Sequence, residues 1–431
     1  MCNYFLKDTT HKNCEEKSHL GSEFCILHLD FPENKDGDEF KKIIKLKEEK
    51  IREKIAISDY NFEGAILANI TLKDLKIDAN LIFNNAQIWG DAWFQNLEIS
   101  HDSHFSGAHF YGGTSFIESK VEMCAVFEKT IFENSCWFGN CNLGYHSHFI
   151  DCSFGEFTSF SKTIFGNTQF KNAIFKGQTG FSECLFKGPN NFENVQFGRN
   201  TQFGGNVFEN ETNFKSAKFS GFVSFDKAKF NEFSTIFDDA NFDTVSFNGA
   251  QFNGDLIFTN AHFGNEIKFS CIEITGILNC ENTTFKLPAM QELLCRTAKQ
   301  NNENLGDRSR SDQYFFREME AKRLQKSKIL SFFEWFFVQE IFGYGVKPWR
   351  LFTAWIVFIC FFSVVYYTQN GIENIHSIMD YIWLSVTTAV TPGFGGINPK
   401  PDIRIITTIE AILGTFLWAG FIATFARRYM R

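Results

Sequence analysis

The sequence predicts a mixed fold: a coil of short β-strands through the middle of the chain, then helices, then an α-helical membrane module. Three observations carry this. From Phe62 to Phe285, large apolar residues recur at steps of five or six, a period that neither a helix (about 3.6) nor a flat strand (about 2) sustains. Residues 351–368 and 405–426 are apolar, each long enough to cross a hydrocarbon core of about 30 Å as a helix. Between those spans, residues 388–396 read T-A-V-T-P-G-F-G-G.

Residues 1–37 form a lead-in rich in Cys and His. Cys2, Cys14, Cys25 and His28 read C-x11-C-x10-C-x2-H, and three thiolates with one imidazole make a closed structural zinc site. His11 and His19 are alternative ligands, and three unrelated reduced thiols are the other reading. The 431-residue chain contains 12 Cys, and its first residues, MCNYFLKDTTHKNC, are polar with no apolar leader. The thiols are therefore expected to be reduced and intracellular. A net charge of −8 argues against a nucleic-acid partner. Residues 38–57 read as a helix, with Phe40, Ile43, Ile44, Ile51 and Ile55 as a partial stripe, suited to cap the first turn of the coil.

Residues 58–286 are one internal repeat. The steps often alternate, as at Phe181, Phe186, Phe192, Phe197, Phe203, Phe208, Phe214 and Phe219, with one step of seven from Phe230 to Phe237. Two residues before most of these positions stands Ala, Ser, Thr, Cys or Val. A square coil fits: each unit forms one side, the large residue and the small one point inward, and four sides close a turn. About ten turns at strand spacing give roughly 50 Å of stack. Cys136, Cys141, Cys152 and Cys184 fall at the small inward position and read as core fillers. His101, His104, His109, His146 and His148 fall outside both inward positions and read as solvated. This pattern resembles the pentapeptide-repeat family, which implies a right-handed quadrilateral β-helix. The sixth residue of many units is a departure, expected to bulge at a corner.

Residues 287–328 read as a helical hairpin with a polar break at 302–307. Residues 329–348 come next, with Ile329, Leu330, Phe332, Phe333, Trp335, Phe336, Phe337, Ile341 and Phe342, suited to a helix lying in the membrane interface.

Residues 349–431 complete the chain, with a short amphipathic stretch and the Thr/Gly strip (376–396) between the two spans. This arrangement resembles the two-span potassium-channel family, whose filter reads T-x-x-T-V-G-Y-G-D. Thr388 and Thr391 align with the two filter threonines, Gly393-Phe394-Gly395 with G-Y-G, and Trp383 with an aromatic of the pore helix. The resemblance implies that Thr391, Pro392, Gly393 and Phe394 supply carbonyls that replace an ion's hydration shell. Such a ladder needs alternating backbone handedness, which Gly393 and Gly395 adopt without strain. Pro392 departs from the usual Val, keeping the carbonyl and losing the N–H; Gly396 departs from the usual Asp. The family also implies a packing role behind the pore helix for Glu410 and a pore-lining hinge at Gly414.

Lys326, Lys328, Lys347 and Arg350 precede the first span and Arg427, Arg428 and Arg431 follow the second, against Lys400 and Arg404 between them. This bias predicts a multi-pass cell-membrane protein with both termini and the β-helix in the cytoplasm. One pore loop per chain implies a homotetramer, with potassium in the filter and a bilayer around it. The β-helix is then a sensor or a platform for an unknown cytoplasmic partner or ligand. With no nucleotide fingerprint or paired-carboxylate site, no enzymatic activity is expected. Two other readings stand beside this one: a non-conducting membrane-anchored scaffold, and a nucleic-acid mimic inhibiting a topoisomerase, as some proteins of the repeat family do. The spans and the mixed charge of the coil, with Lys171, Lys176, Lys187, Lys215, Lys218, Lys227 and Lys229 among acids, argue against the latter.

Overall fold

The computed structural model describes residues 1–6, 12–19, 21–34, 37–373, 377–390 and 397–429. The chain divides into two compact units, Met1–Met290 and Gln291–Arg431.

The first unit opens with two short antiparallel strands, Phe5–Leu6 and Lys12–Asn13, a single 3-10 turn at Ile26–His28, and helix α1 (Asp38–Ala56). A β-solenoid comes next, from Ile66–Leu67 to Thr284–Phe285. Its strands are mostly two residues long and pair in parallel with the strand one turn on, so Phe110 faces Phe132, which faces Phe154, which faces Phe175. One face alone is a ten-stranded ladder, from Leu81–Ile82 to Leu278–Asn279, and the remaining strands form three more faces. The coil is four-sided with about ten turns.

The alternation of five and six has a structural cause. In the five-residue step Phe83 to Ile88, the Ala86 N–H donates to Phe83 O at 3.0 Å, closing a β-turn with Asn85 at φ 56°. The same turn recurs at Phe105–Ala108 and Phe127–Thr130, with Gly107 and Lys129 at positive φ. A type II turn places its third residue in this region. The six-residue steps, such as Ile88 to Phe94, instead pass a bend at Trp89 and Gly90, so the extra residue lies at a corner. In the seven-residue step the insertion is extruded, leaving Phe233 exposed.

The interior consists of four columns of stacked rings. Phe203 lies between Phe181 (4.8 Å, 2° between planes) and Phe225 (5.0 Å, 4°), and meets Phe192 edge-on at 5.7 Å. Burying each Phe contributes about 1.5–3 kcal/mol, and each ring pair about 0.5–1.5 kcal/mol more. Cys136, Cys141, Cys152 and Cys184 are buried at the small position. Three of their thiols donate to carbonyls of the preceding turn: Cys141 to Phe116 O (2.9 Å), Cys152 to Phe127 O (2.7 Å) and Cys184 to Phe160 O (3.0 Å). Burial pushes Cys141 and Cys184 up to about 12, so they remain thiols, and none of the twelve cysteines is in a disulfide. On the surface, His104, His109 and His148 lie beside Asp102, Glu133 and Glu128 at 3.8, 3.2 and 3.4 Å.

The second unit begins within α2 (Pro288–Asn304), which forms a hairpin with α3 (Arg308–Leu324). Asp307 caps α3 by accepting from Arg310 N at 3.0 Å. The hairpin is clasped by Glu318, 2% exposed, which takes Arg296 (3.1 Å), Lys299 (3.0 Å) and Lys322 (2.6 Å). Burial works to raise the Glu318 pKa, and these three cations override it to hold the carboxyl below its usual range. Next comes α4 (Lys328–Phe333), which runs into a π-helical stretch, Glu334–Ile341, and a 3-10 turn, Gly343–Gly345, with Tyr344 at φ 52°. The segment expected as one helix over 329–348 is thus broken. Helical geometry stops at Gly343, Tyr344 and Gly345, all at positive φ, shortly after Gln339, whose side chain accepts from Arg323 Nε (3.0 Å) and whose carbonyl accepts from Arg350 Nη1 (2.8 Å). Helices α5 (Pro348–Thr368), α6 (Met379–Val390) and α7 (Arg404–Tyr429) complete the unit.

Phe203→Ala is expected to destabilise residues 1–290 by about 3–5 kcal/mol. Arg199→Gln, at an exposed position between inward residues, should stay within about 0.5 kcal/mol of the parent. Chemical denaturation followed by circular dichroism distinguishes the two; equal effects would refute the ring-stack core.

Candidate functional site

The first candidate site lies within α5, α6 and α7, which all pack on one another. The chain leaves α5, makes the excursion containing α6, and returns to where it left. Ile372 and Pro399 form an antiparallel bridge, and Lys400 N donates to Gly371 O at 2.9 Å. Phe362, Tyr366, Ile372, Tyr381, Leu384 and Ile403 form the core beneath this closure. Only 28% and 17% of the apolar windows of α5 and α7 are buried. Two helices this apolar and this exposed require lipid or further chains around them, unlike core helices of a soluble domain.

Glu410, on α7, is fully buried. Its carboxyl is hydrogen-bonded to the Tyr366 hydroxyl of α5 and the Ser385 hydroxyl of α6, and Ser385 Oγ also lies 3.0 Å from Ile359 O. One carboxylate therefore ties all three helices behind the re-entrant one. Tyr366 and Ser385 were not singled out from sequence, although Tyr381, Leu384, Ser385, Thr388 and Ala389, all buried, form a helical stripe that could have revealed Ser385.

Thr388 is buried in the last turn of α6, its Oγ1 without a partner among the described residues. Trp383 is on the exposed side of α6. Thr391, Pro392, Gly393, Phe394, Gly395 and Gly396 lie outside the described residues. At Gly414, α7 continues as helix, and a Cβ there would come within 2.7 Å of Ala389 Cα. Glycine at this position lets α7 touch the backbone of α6 near the end of the re-entrant helix.

The second candidate site is in the lead-in. Cys2, Cys14, Cys25 and His28 are all buried, and their ligand atoms lie within 4.8 Å of one another. His28 Nδ1 faces Cys2 Sγ (3.3 Å) and Cys25 Sγ (3.2 Å). Tyr4 stacks on the imidazole at 4.1 Å. Of the two alternative ligands, His19 is not in the cluster and His11 lies outside the described residues. Three soft sulfurs and one imidazole nitrogen at this spacing suit a tetrahedral Zn²⁺.

Lys47, on α1, is the residue that sequence reasoning missed here. It sits on the Ile43–Ile51 stripe, 2% exposed, where its charge argued for solvent. Its ammonium donates to Leu29 O and Ile66 O at 2.5 Å each and to Leu27 O at 3.4 Å, and lies 4.6 Å from the Phe31 ring centre. Burial pulls its pKa down to about 7. Spacing by four from Ile43 and Ile51 was the available signal.

A family model described as ion channel matches residues 353–431, and one described as pentapeptide repeats, nine copies, matches residues 98–142 and 170–217. A search of curated proteins finds no match. These matches fall on the re-entrant three-helix module and on the solenoid. The chain is a fusion of pentapeptide repeats with a two-span ion-channel domain.

Gly414→Ala forces a methyl against Ala389 and is expected to cost about 1–3 kcal/mol by overpacking. Ala389→Gly in the same chain should restore little of it, because the added Cβ still meets the Ala389 Cα at 2.7 Å and its carbonyl oxygen at 3.0 Å. Thermal unfolding in detergent would show this, and a Gly414→Ala variant as stable as the parent would exclude the close contact.

Proposed function

We propose that the chain is the pore-forming subunit of a homotetrameric cation channel that conducts potassium. The observation that carries this reading is the re-entrant helix α6 between two exposed apolar helices, ending at Val390, directly before the Thr/Gly strip. The carboxyl end of a helix carries partial negative charge, which favours a cation beyond it. Rings of carbonyls from Thr391, Pro392, Gly393 and Phe394, four chains contributing one each, then take the place of water around the ion. Gly395 supplies the second permissive backbone position, and the Thr388 hydroxyl braces the strip from behind. Glu410 holds the re-entrant helix on both spans. The basic bias puts both termini and the solenoid in the cytoplasm, where the solenoid acts as sensor or partner platform. Ile329, Leu330, Phe332, Phe333, Trp335, Phe336 and Phe337, all exposed, lie in the membrane interface. Cys2, Cys14, Cys25 and His28 hold one structural Zn²⁺, which when bound crosslinks the lead-in.

Purified protein in planar bilayers, with potassium and sodium on opposite sides, is expected to pass current with a potassium-directed reversal potential. Gly393→Ala or Gly395→Ala should abolish or de-select that current while leaving a membrane tetramer, because a Cβ strains a left-handed position. Pro392→Val should conduct and discriminate at least as well, having regained an N–H. Unchanged conductance and selectivity in both glycine variants would rule out this strip as the filter. Total absence of current from the parent would favour the non-conducting scaffold.

Metal analysis of the same preparation should give about one zinc per chain, lost in Cys14→Ser/Cys25→Ser. Full metal retention in that variant would exclude these ligands.

A further inference from the structure

The first turn of a solenoid has a neighbour on one side only. In later turns, one carbonyl of each β-turn accepts an N–H from the turn before: Asn84 O from Gly64 N (2.8 Å), Ser106 O from Asn85 N (2.8 Å), Glu128 O from Gly107 N (2.8 Å). The equivalent carbonyl in the first turn belongs to Glu63, with no earlier turn to serve it. Its partner is His28, whose Nε2 lies 2.8 Å from Glu63 O. A carbonyl only accepts, so Nε2 carries the proton. Nδ1 is then a lone pair, directed at the sulfurs of Cys2 and Cys25. Hydrogen bonding at one ring nitrogen commonly fixes the tautomer that binds metal through the other.

Three further contacts join the lead-in and α1 to the same turn. Tyr4, stacked on His28, covers Gly64 so closely that a Cβ there would sit 2.0 Å from Tyr4 Cζ. Lys47 joins Leu27 O and Leu29 O, which flank His28, to Ile66 O. Lys54, hydrogen-bonded to Asp59, lies 5.8 Å from the centre of the Phe62 ring, the first of its column. Solenoid ends need capping because each repeat is stabilised mainly by its neighbours.

We infer that the metal-loaded Cys/His cluster is the amino-terminal cap of the solenoid, with the His28 imidazole standing in for the missing turn. Metal occupancy then governs the order of the first turns. This rests on the zinc reading above. Zinc bound at Nδ1 and the three sulfurs fixes the ring where Nε2–H meets Glu63 O; without it the lead-in is held by hydrogen bonds and packing alone. The middle of the coil, paired on both sides, is unaffected.

Hydrogen–deuterium exchange on the full chain in detergent tests this, comparing Zn²⁺-loaded protein with protein stripped by a chelator. Amides of residues 60–89 should exchange about tenfold faster after stripping, roughly what one hydrogen bond of ordinary net strength corresponds to. Residues 190–214 should not change, and Zn²⁺ but not Mg²⁺ should restore protection. His28→Cys separates ligation from capping: four thiolates still bind zinc, yet no donor reaches Glu63 O, so the first turn should exchange fast with metal present. Zinc bound but exchange at 60–89 indifferent to stripping would overturn the cap and leave the metal site standing. Failure to bind zinc at all would remove both. Acceleration spread equally over residues 190–214 would overturn a local cap.

Discussion

Apart from the β-turn bonds within each turn, a backbone group in a stacked coil is satisfied by the turn above or below it, and most of the first unit derives from that constraint. A buried N–H or C=O without a partner costs as much as a lost hydrogen bond, so turns must stay in register over the whole stack. Register in turn needs corners of fixed geometry, which is why Asn85, Lys129 and even Glu118 accept positive φ. The strain at each is about 1–3 kcal/mol and is offset by the buried Phe that precedes it. The constraint also determines what the small inward residues do. Cys152 and Thr130 each donate to a Phe carbonyl of the preceding turn at 2.7 Å, so a thiol and a hydroxyl are equivalent there. That equivalence accounts for cysteines in the core without disulfide or metal chemistry.

In the second unit the same constraint operates with a different solvent. Lipid offers no hydrogen bonds, so spanning elements satisfy their own backbones as helices, and any polar side chain must find a protein partner. Glu410 meets that demand with Tyr366 and Ser385. Because its two partners lie on two other helices, satisfying one carboxylate also orients the re-entrant helix between them. The contact of Gly414 with Ala389 lies one turn further along α7, so a polar tie and a close backbone approach act on the same end of α6.

How much of this was legible beforehand depended on whether one side chain or several held the information. The coil was legible because a Phe every five or six residues suits hardly any fold but a four-sided stack, and the two spans because length and apolarity are local properties. The four residues Cys2, Cys14, Cys25 and His28 were legible as a set because their chemistry is rare, although their long spacings left the grouping open. Lys47 was not, since its cage consists of backbone carbonyls from Leu27, Leu29 and Ile66, and carbonyls carry no sequence signature. Ser385 and Tyr366 were hard to read for a related reason: hydroxyls in apolar helices commonly bond their own backbone, as Ser363 does to Ile359 O, so the stripe that hints at Ser385 does not name its partner. The break at residues 334–345 was hidden because its apolar composition reads the same in α, π and 3-10 geometry.

That break bears on how the helices before the first span meet it. Arg323, in the last turn of α3, grips both Ser331 Oγ (3.0 Å) and Gln339 Oε1 (3.0 Å). Arg350, in the first turn of α5, holds the Gln339 carbonyl (2.8 Å) and Glu340 (3.2 Å). Phe316 of α3 lies against Lys347, with the ammonium 3.8 Å from the ring centre, and packs edge-on to Tyr344. Gln339 is therefore shared, its side chain bonded to α3 and its backbone to α5. A π-helical turn, wider than an α turn, is where backbone carbonyls are freed for such use. Displacing α3 must either break hydrogen bonds from charged donors, at about 1.5–3 kcal/mol each, or carry the start of α5 with it.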